Sequence, residues 1–228
     1  MEQQYLQPDV YFMDVRVTEP SIALTSLLIT LVCLYAWWRL ARPSRTVEIR
    51  LFRLFMLLMG CSTLIGGLVG HAFLYALPFI FKTPGWVLGM LAVTTLGQTA
   101  IERAKPLVGA RWAHILTIIN GVELLAALCM VFITLWFPLV EIHSAFGMLL
   151  LLGALEGWTY FKTRRRSSQY LLWSILFAVA AAGVHVAKFS LGTWFTFFDI
   201  GHVLMCGTIC MILRAAEISA AEEPVGLA

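Results

Sequence analysis

Long apolar stretches alternate with short polar segments along the chain, and seven of these stretches are close to the roughly 20 residues that a membrane-spanning helix needs. The boundary between the fourth and fifth stretches is set at Pro138, because proline readily begins a helix and interrupts one in progress. We therefore predict an all-α integral membrane protein with a bundle of seven transmembrane helices. The predicted spans are 21–40, 51–79, 85–102, 112–137, 138–161, 168–187 and 193–214.

Composition agrees with this pattern. Of the 228 residues, 60% are hydrophobic and 13% are charged, whereas a soluble domain carries about 25% charged residues. The five cysteines lie within apolar stretches and form no C-x-x-C pair, which argues against a disulfide framework or a zinc knuckle. We expect a multi-pass protein of the plasma or cytoplasmic membrane, with membrane lipid as its first partner and an oligomeric state that the sequence leaves open.

Basic residues predict the orientation of the bundle. The segments that follow the first, third and fifth stretches, together with the adjoining turns of the stretches and the end of the seventh, carry 13 of the 16 lysines and arginines. By the positive-inside rule, the N-terminal arm (1–20) is expected outside and the C-terminal tail (215–228) in the cytoplasm, on either side of the transmembrane domain (21–214). This rule also explains the basic run 162–166, so no nucleic-acid partner is expected.

In this orientation, four of the five histidines fall in the outer third of the bundle, beside one aspartate. Imidazole is the commonest protein ligand of metals, and three histidines, or histidines with a carboxylate, form a recurring catalytic zinc site. We predict that His71 and His202 bind a divalent metal together with at least one of His143, His185 and Asp199. Asp199 is a candidate ligand, a candidate catalytic base, or an acceptor that orients a ligating imidazole.

Ordinary structural roles compete with these predictions. A histidine near the interface, as expected for His143 and His185, also serves as an amphipathic anchor. The fourth stretch carries Asn120 and Glu123 on one helix face, which suits either interhelical hydrogen bonds or the lining of a pathway for a proton or substrate.

The segments GGLVGHAF, with His71, and FDIGHVLM, with His202, resemble the seven-helix superfamily of alkaline ceramidases and progestin and adiponectin receptors. In that superfamily a histidine late in the second helix and an H-x-x-x-H pair in the seventh hold zinc inside the membrane. The resemblance implies a zinc site near the outer side and hydrolysis of a lipid amide or ester. The chain departs from the pattern at Phe198, which stands at the first histidine of the pair, and at Gly67, which stands at the family's serine; the family's aspartate after the second helix has no counterpart.

Three classes of function therefore remain open. The first is a zinc-dependent hydrolase of a membrane lipid, with His71 and His202 as ligands. The second is a membrane electron carrier in which pairs of histidines ligate haem b. The third is a transporter, receptor or sensor without enzymatic activity that uses Glu123 and the outer polar residues to hold a ligand.

Overall fold

A computed structural model of the chain describes residues 6–41 and 46–221. Within these ranges, seven helices are long and apolar enough to cross a membrane, which confirms the all-α fold and the predicted number of candidate spans. The orientation of the bundle stays a prediction. The helices are Pro20–Arg39, Val47–Ala72, Phe79–Val108, Ala110–Thr134, Pro138–Thr163, Arg166–Ala187 and Phe197–Ala221.

The described part of the predicted N-terminal arm, from residue 6 onwards, folds over one end of the bundle. Its residues form an antiparallel hairpin of strands β1 (Val10–Phe12) and β2 (Val15–Val17). The backbone N–H of Thr18 then donates to the carbonyl of Ala72 at the end of the second helix (3.0 Å). We call this end of the bundle the hairpin end. The opposite end is called the basic end, because the first, third and fifth helices finish there near the arginine-rich segments.

Two helices contain wide, π-helical turns. The last turn of the second helix, Leu68–Ala72, is π-helical and contains His71. The fifth helix is π-helical over Phe146–Gly153, directly after the turn that carries His143. Such turns often occur at functional sites, because they redirect side chains within an otherwise regular helix.

The seventh helix is displaced from its predicted range, 193–214, to Phe197–Ala221. It begins later because the backbone N–H and the hydroxyl of Thr196 both donate to Oδ2 of Asp199 (2.8 and 2.7 Å), a contact that caps the first turn. It continues to Ala221 because Ala215, Ala216 and Ser219 are buried against the rest of the bundle. The first part of the predicted tail, 215–221, is therefore helical.

A close approach between the first and second helices brings the hairpin-end residues together. A Cβ atom on Gly67 would lie 2.9 Å from the Cβ of Ser26 and 3.2 Å from the carbonyl oxygen of Ala23. Only glycine fits this contact without displacement of the first helix. The turn that carries His71 therefore lies close to the first helix.

A buried arginine joins the helices at the basic end. The side chain of Arg103 is fully buried, and its Nε and Nη2 donate to the two carboxylate oxygens of the equally buried Glu156 (2.6 and 3.3 Å). Such a two-pronged charge-assisted pair is stronger than a neutral hydrogen bond. Further contacts reach the second, sixth and seventh helices through Glu48 (3.5 Å), Ser167 (2.9 Å), Ser168 (3.2 Å) and Ser219 (2.5 Å).

We predict that Arg103→Met strongly lowers the melting temperature of the purified protein in detergent. The change leaves Glu156 buried without its main partner, and removal of one partner of a buried pair costs about 3–5 kcal/mol. The double variant Arg103→Met/Glu156→Leu should recover much of this loss. Lys105→Met, which breaks the exposed pair with Glu102, should melt like the wild type; an equal effect of Arg103→Met and Lys105→Met would contradict the assignment.

Candidate functional site

The structure brings His71 and His202 together at the hairpin end. The ring of His71, from the second helix, lies edge to face with the ring of His202, from the seventh, and the ring centroids are 6.4 Å apart. The two residues are far apart in the chain, and both are among the metal ligands predicted from the sequence. Their neighbours determine which ring nitrogens are available to a ligand.

A carboxylate holds the ring of His71. Oε2 of Glu19 lies 2.7 Å from Nδ1 of His71, while Oε1 of Glu19 accepts the backbone N–H of Leu6 (3.0 Å). Glu19 is buried, and its backbone has φ 46°, a left-handed conformation that non-glycine residues rarely adopt. Because a carboxylate accepts, Nδ1 of His71 donates its proton there, and in the neutral ring Nε2 carries the lone pair.

A hydroxyl holds the ring of His202. Oγ1 of Thr25 lies 2.8 Å from Nδ1 of His202 and 3.3 Å from Oδ1 of Asp199. The same hydroxyl is within 3.0 and 3.1 Å of the carbonyl oxygens of Ser21 and Ile22. When Thr25 donates its proton to one of these oxygens, Nδ1 of His202 donates to Thr25, and Nε2 again carries the lone pair.

Both Nε2 atoms are left without a hydrogen-bond partner among residues 6–41 and 46–221. His202 is partly buried and His71 is about one-fifth exposed. Each ring is thus oriented through Nδ1 and offers Nε2 to a ligand. This arrangement is typical of metal-ligating histidines, whose second nitrogen binds a carboxylate or another oxygen.

Asp199 is fully buried beside this pair, and its oxygens are occupied. Oδ2 accepts two hydrogen bonds from Thr196 and one from Nε2 of Gln7 (3.2 Å), and Oδ1 faces Thr25. These contacts give Asp199 a role in capping the seventh helix and, through Thr25, in positioning His202. The catalytic role expected from the sequence stays a prediction.

His185 lies next to the pair but on the far side of an aromatic ring. The ring of Phe198 packs against His71 (5.6 Å between centroids) and against His185 (5.0 Å). Nε2 of His185 lies 3.6 Å from Oε1 of Glu141. Phe198 therefore lies in contact with both His185 and His71.

His143 belongs to a different cluster. Its ring is almost fully buried, with Nδ1 at 2.7 Å from Oε2 of Glu123 and Nε2 at 3.0 Å from the carbonyl of Met90. Since a carbonyl only accepts, Nε2 carries a hydrogen, and one further proton lies between Nδ1 and Glu123. Glu123 therefore pairs with His143. Asn120 instead donates to the carbonyl of Thr94 (2.9 Å), and its buried Oδ1 has no partner in the part of the chain described.

The candidate metal ligands at the hairpin end are thus two imidazoles. Across the described ranges, no group of three or more histidine, cysteine, aspartate or glutamate side chains is placed to hold a metal ion. Of the five predicted site residues outside the fourth helix, the structure brings together His71, His202 and Asp199. It places His185 behind Phe198 and His143 in the separate cluster.

Sequence reasoning missed Glu19, Gln7 and Thr25. A signal for Glu19 was present, because it directly precedes Pro20, which begins the first helix, and the predicted orientation puts this point at the same end as His71. Gln7 carried no such signal, since only the fold of the arm brings it to Ser21 and Asp199.

The chain belongs to the family of unknown function DUF6962, whose model matches residues 21–221. No curated protein and no solved structure matches the chain. The matched range contains His71, His202 and Asp199, but Gln7 and Glu19 lie before it.

Glu19 gives the site a predicted pH dependence. Burial alone raises the pKa of its carboxyl, but the hydrogen bonds from His71 and Leu6 and the charges of His71 and Lys82 outweigh burial and lower the pKa below its ordinary value. A lowered pKa in the folded state means that Glu19 stabilises the fold above about pH 4.3, the value in an unfolded chain, and that this contribution is lost as the pH falls through the folded-state pKa.

We therefore expect the melting temperature of the wild type to fall on acidification below about pH 4.3, and to fall less in Glu19→Gln, which keeps the shape but not the charge. Glu141→Gln, at an exposed carboxylate of the same end, serves as the control and should retain the acid sensitivity of the wild type. If the melting temperatures of the wild type and Glu19→Gln fell equally across this pH range, the charge of Glu19 would contribute nothing to stability.

Proposed function

We propose that the chain is a multi-pass membrane protein that binds a divalent transition-metal ion through Nε2 of His71 and Nε2 of His202, with zinc as the first candidate. One observation carries the proposal: each Nδ1 is held by an oxygen, of Glu19 or of Thr25, while each Nε2 has no partner in the described residues. A histidine that only anchors a helix needs no such orientation of its ring.

The residues present fit a two-imidazole site. Two imidazoles that share a tetrahedral zinc have ring centroids about 5 Å apart, and the rings here are 6.4 Å apart, so binding of the ion would bring them closer together. Neutral imidazole without thiolate suits zinc, copper, nickel or iron. Phe198 stands where a third imidazole would complete the set, so the remaining coordination positions are left to water or to an oxygen of a substrate.

The proposed reaction is hydrolysis of a lipid amide or ester. A bound divalent ion supplies Lewis-acid chemistry to such a reaction. Glu19 and Thr25 hold the imidazoles, and Asp199 positions Thr25. His202 lies about 8 Å along its helix from the hairpin end, a depth near the interface at which the polar linkages of lipids lie. Fatty-acid release from a lipid amide or ester by zinc-loaded protein in vesicles, lost in His202→Ala, tests this step.

Metal content tests the binding step. We expect the purified full chain to retain about one zinc ion per molecule after dialysis, and His71→Ala and His202→Ala to retain almost none, because each loses half of the protein ligands. His114→Ala, at an exposed histidine of the basic end, should bind zinc like the wild type. His185→Ala should also retain the metal, since Phe198 separates it from the pair.

Folded wild-type protein that stays free of metal after exposure to zinc would contradict the proposal. A Soret band in the absorption spectrum of the same preparation would favour the haem b alternative instead.

Phe198→His offers a gain-of-function test. The change places an imidazole where the resembling superfamily has its third ligand, one helical turn before His202. We predict at least a tenfold tighter binding of zinc, measured by competition with a chelating dye, because a third imidazole completes the usual catalytic ligand set. Phe197→His, one position away on the same helix, should leave the affinity close to that of the wild type. Equal affinities of the wild type and Phe198→His would place the metal elsewhere.

A further inference from the structure

A groove opens between the sixth and seventh helices near the basic end, far from the histidine pair. It encloses about 300 Å³, a volume at the lower limit of small-molecule sites. It is lined by Arg166, Gln169, Tyr170, Trp173, Phe177 and Met211.

The polarity of the groove changes along its length. Arg166 is the first residue of the sixth helix and is exposed, as is Gln169 one turn later. Trp173 follows, half exposed, and Phe177 lies about 16 Å along the helix from Arg166. The groove is therefore polar at the surface and apolar further into the bundle, as the headgroup and acyl chain of a lipid are.

The deep end of the groove depends on a glycine of the seventh helix. A Cβ atom on Gly207 would lie 2.7 Å from the ring of Phe177. Glycine at this position lets the aromatic ring lie directly against the backbone of the neighbouring helix. The apolar wall formed by Phe177 is thus fixed by packing.

The charges around the groove indicate which kind of headgroup it can bind. None of the lining residues is acidic, and Arg166 makes no ion pair or cation–π contact within residues 6–41 and 46–221. The neighbouring basic residues differ, since Lys162 lies over the ring of Trp158 (4.9 Å) and Arg164 over the ring of Tyr160 (5.5 Å). Arg166 is therefore available to an anionic group at the mouth of the groove.

We infer that this groove binds one anionic phospholipid from the leaflet at the basic end. Its phosphate contacts Arg166 and Gln169, and an acyl chain lies along Trp173, Phe177 and Met211. Basic pockets between helices at this depth suit anionic headgroups, whereas a zwitterionic lipid gains less from a single unpaired arginine.

Native mass spectrometry of the full chain, released from micelles after incubation with equal amounts of phosphatidylglycerol and phosphatidylcholine, tests the inference. The wild type should retain one phosphatidylglycerol in preference to phosphatidylcholine. Arg166→Gln should reduce this adduct by about fivefold, the effect of one basic residue near an anionic surface. Met211→Trp, which fills the groove but leaves Arg166 in place, should reduce adducts of both lipids.

Arg164→Gln is the matched control, because it removes the same charge from the same segment, but outside the groove. It should retain the phosphatidylglycerol adduct. Equal losses in Arg164→Gln and Arg166→Gln would show that the basic segment attracts anionic lipid without a site, and an unchanged adduct in Arg166→Gln would also overturn the inference. Neither variant changes the histidine pair, so zinc binding should be the same in both.

Discussion

The hydrogen bonds to Nδ1 of His71 and Nδ1 of His202 are the constraint on which the candidate site depends. An imidazole in an apolar bundle must satisfy its polar atoms or lose the free energy of hydration without compensation. Glu19 and Thr25 satisfy one nitrogen of each ring and thereby fix its orientation. The second nitrogen of each ring has no partner among the described residues, and the two ring centroids lie 6.4 Å apart.

The degree to which polar groups are satisfied separates structural from functional clusters in this protein. The hydrogen-bond donors of Arg103 are occupied by Glu156 and by three serine hydroxyls. With Glu48, this cluster joins five helices, and it offers little to a ligand. His143 is likewise bonded at both ring nitrogens, to Glu123 and to the carbonyl of Met90. Only at the hairpin end do two neighbouring histidines each keep one nitrogen open among the residues described. Burial and residue type alone would not have distinguished these three clusters.

The sequence predicted the features that depend on one property of the chain, such as the length of an apolar stretch or the position of a proline. The length of each apolar stretch predicted seven helices, and Pro138 located the break between the fourth and fifth. The end of the seventh helix could not be predicted in this way, because Ser219 stays helical through its contact with the buried Arg103. The length of a span is thus readable from hydropathy, but its last turns depend on tertiary partners.

The candidate site was predictable only in part for a related reason. Topology placed His71 and His202 at one depth, and the structure brings their rings together. Depth does not specify which helices are neighbours, and the segment that carries His143 packs against the third and fourth helices, where its ring meets Glu123. The contribution of Glu19 and Gln7 depends on the fold of the N-terminal arm, for which hydropathy gives no signal.

X-ray absorption at the zinc edge, on protein loaded with one equivalent of zinc, measures the central claim most directly. The claim predicts a first shell at about 2.0–2.1 Å with the outer-shell scattering of two imidazole rings in the wild type, and no imidazole scattering in His202→Ala, which should not retain the ion. A spectrum of the wild type without imidazole scattering, or with sulfur from cysteine in the first shell, would contradict it.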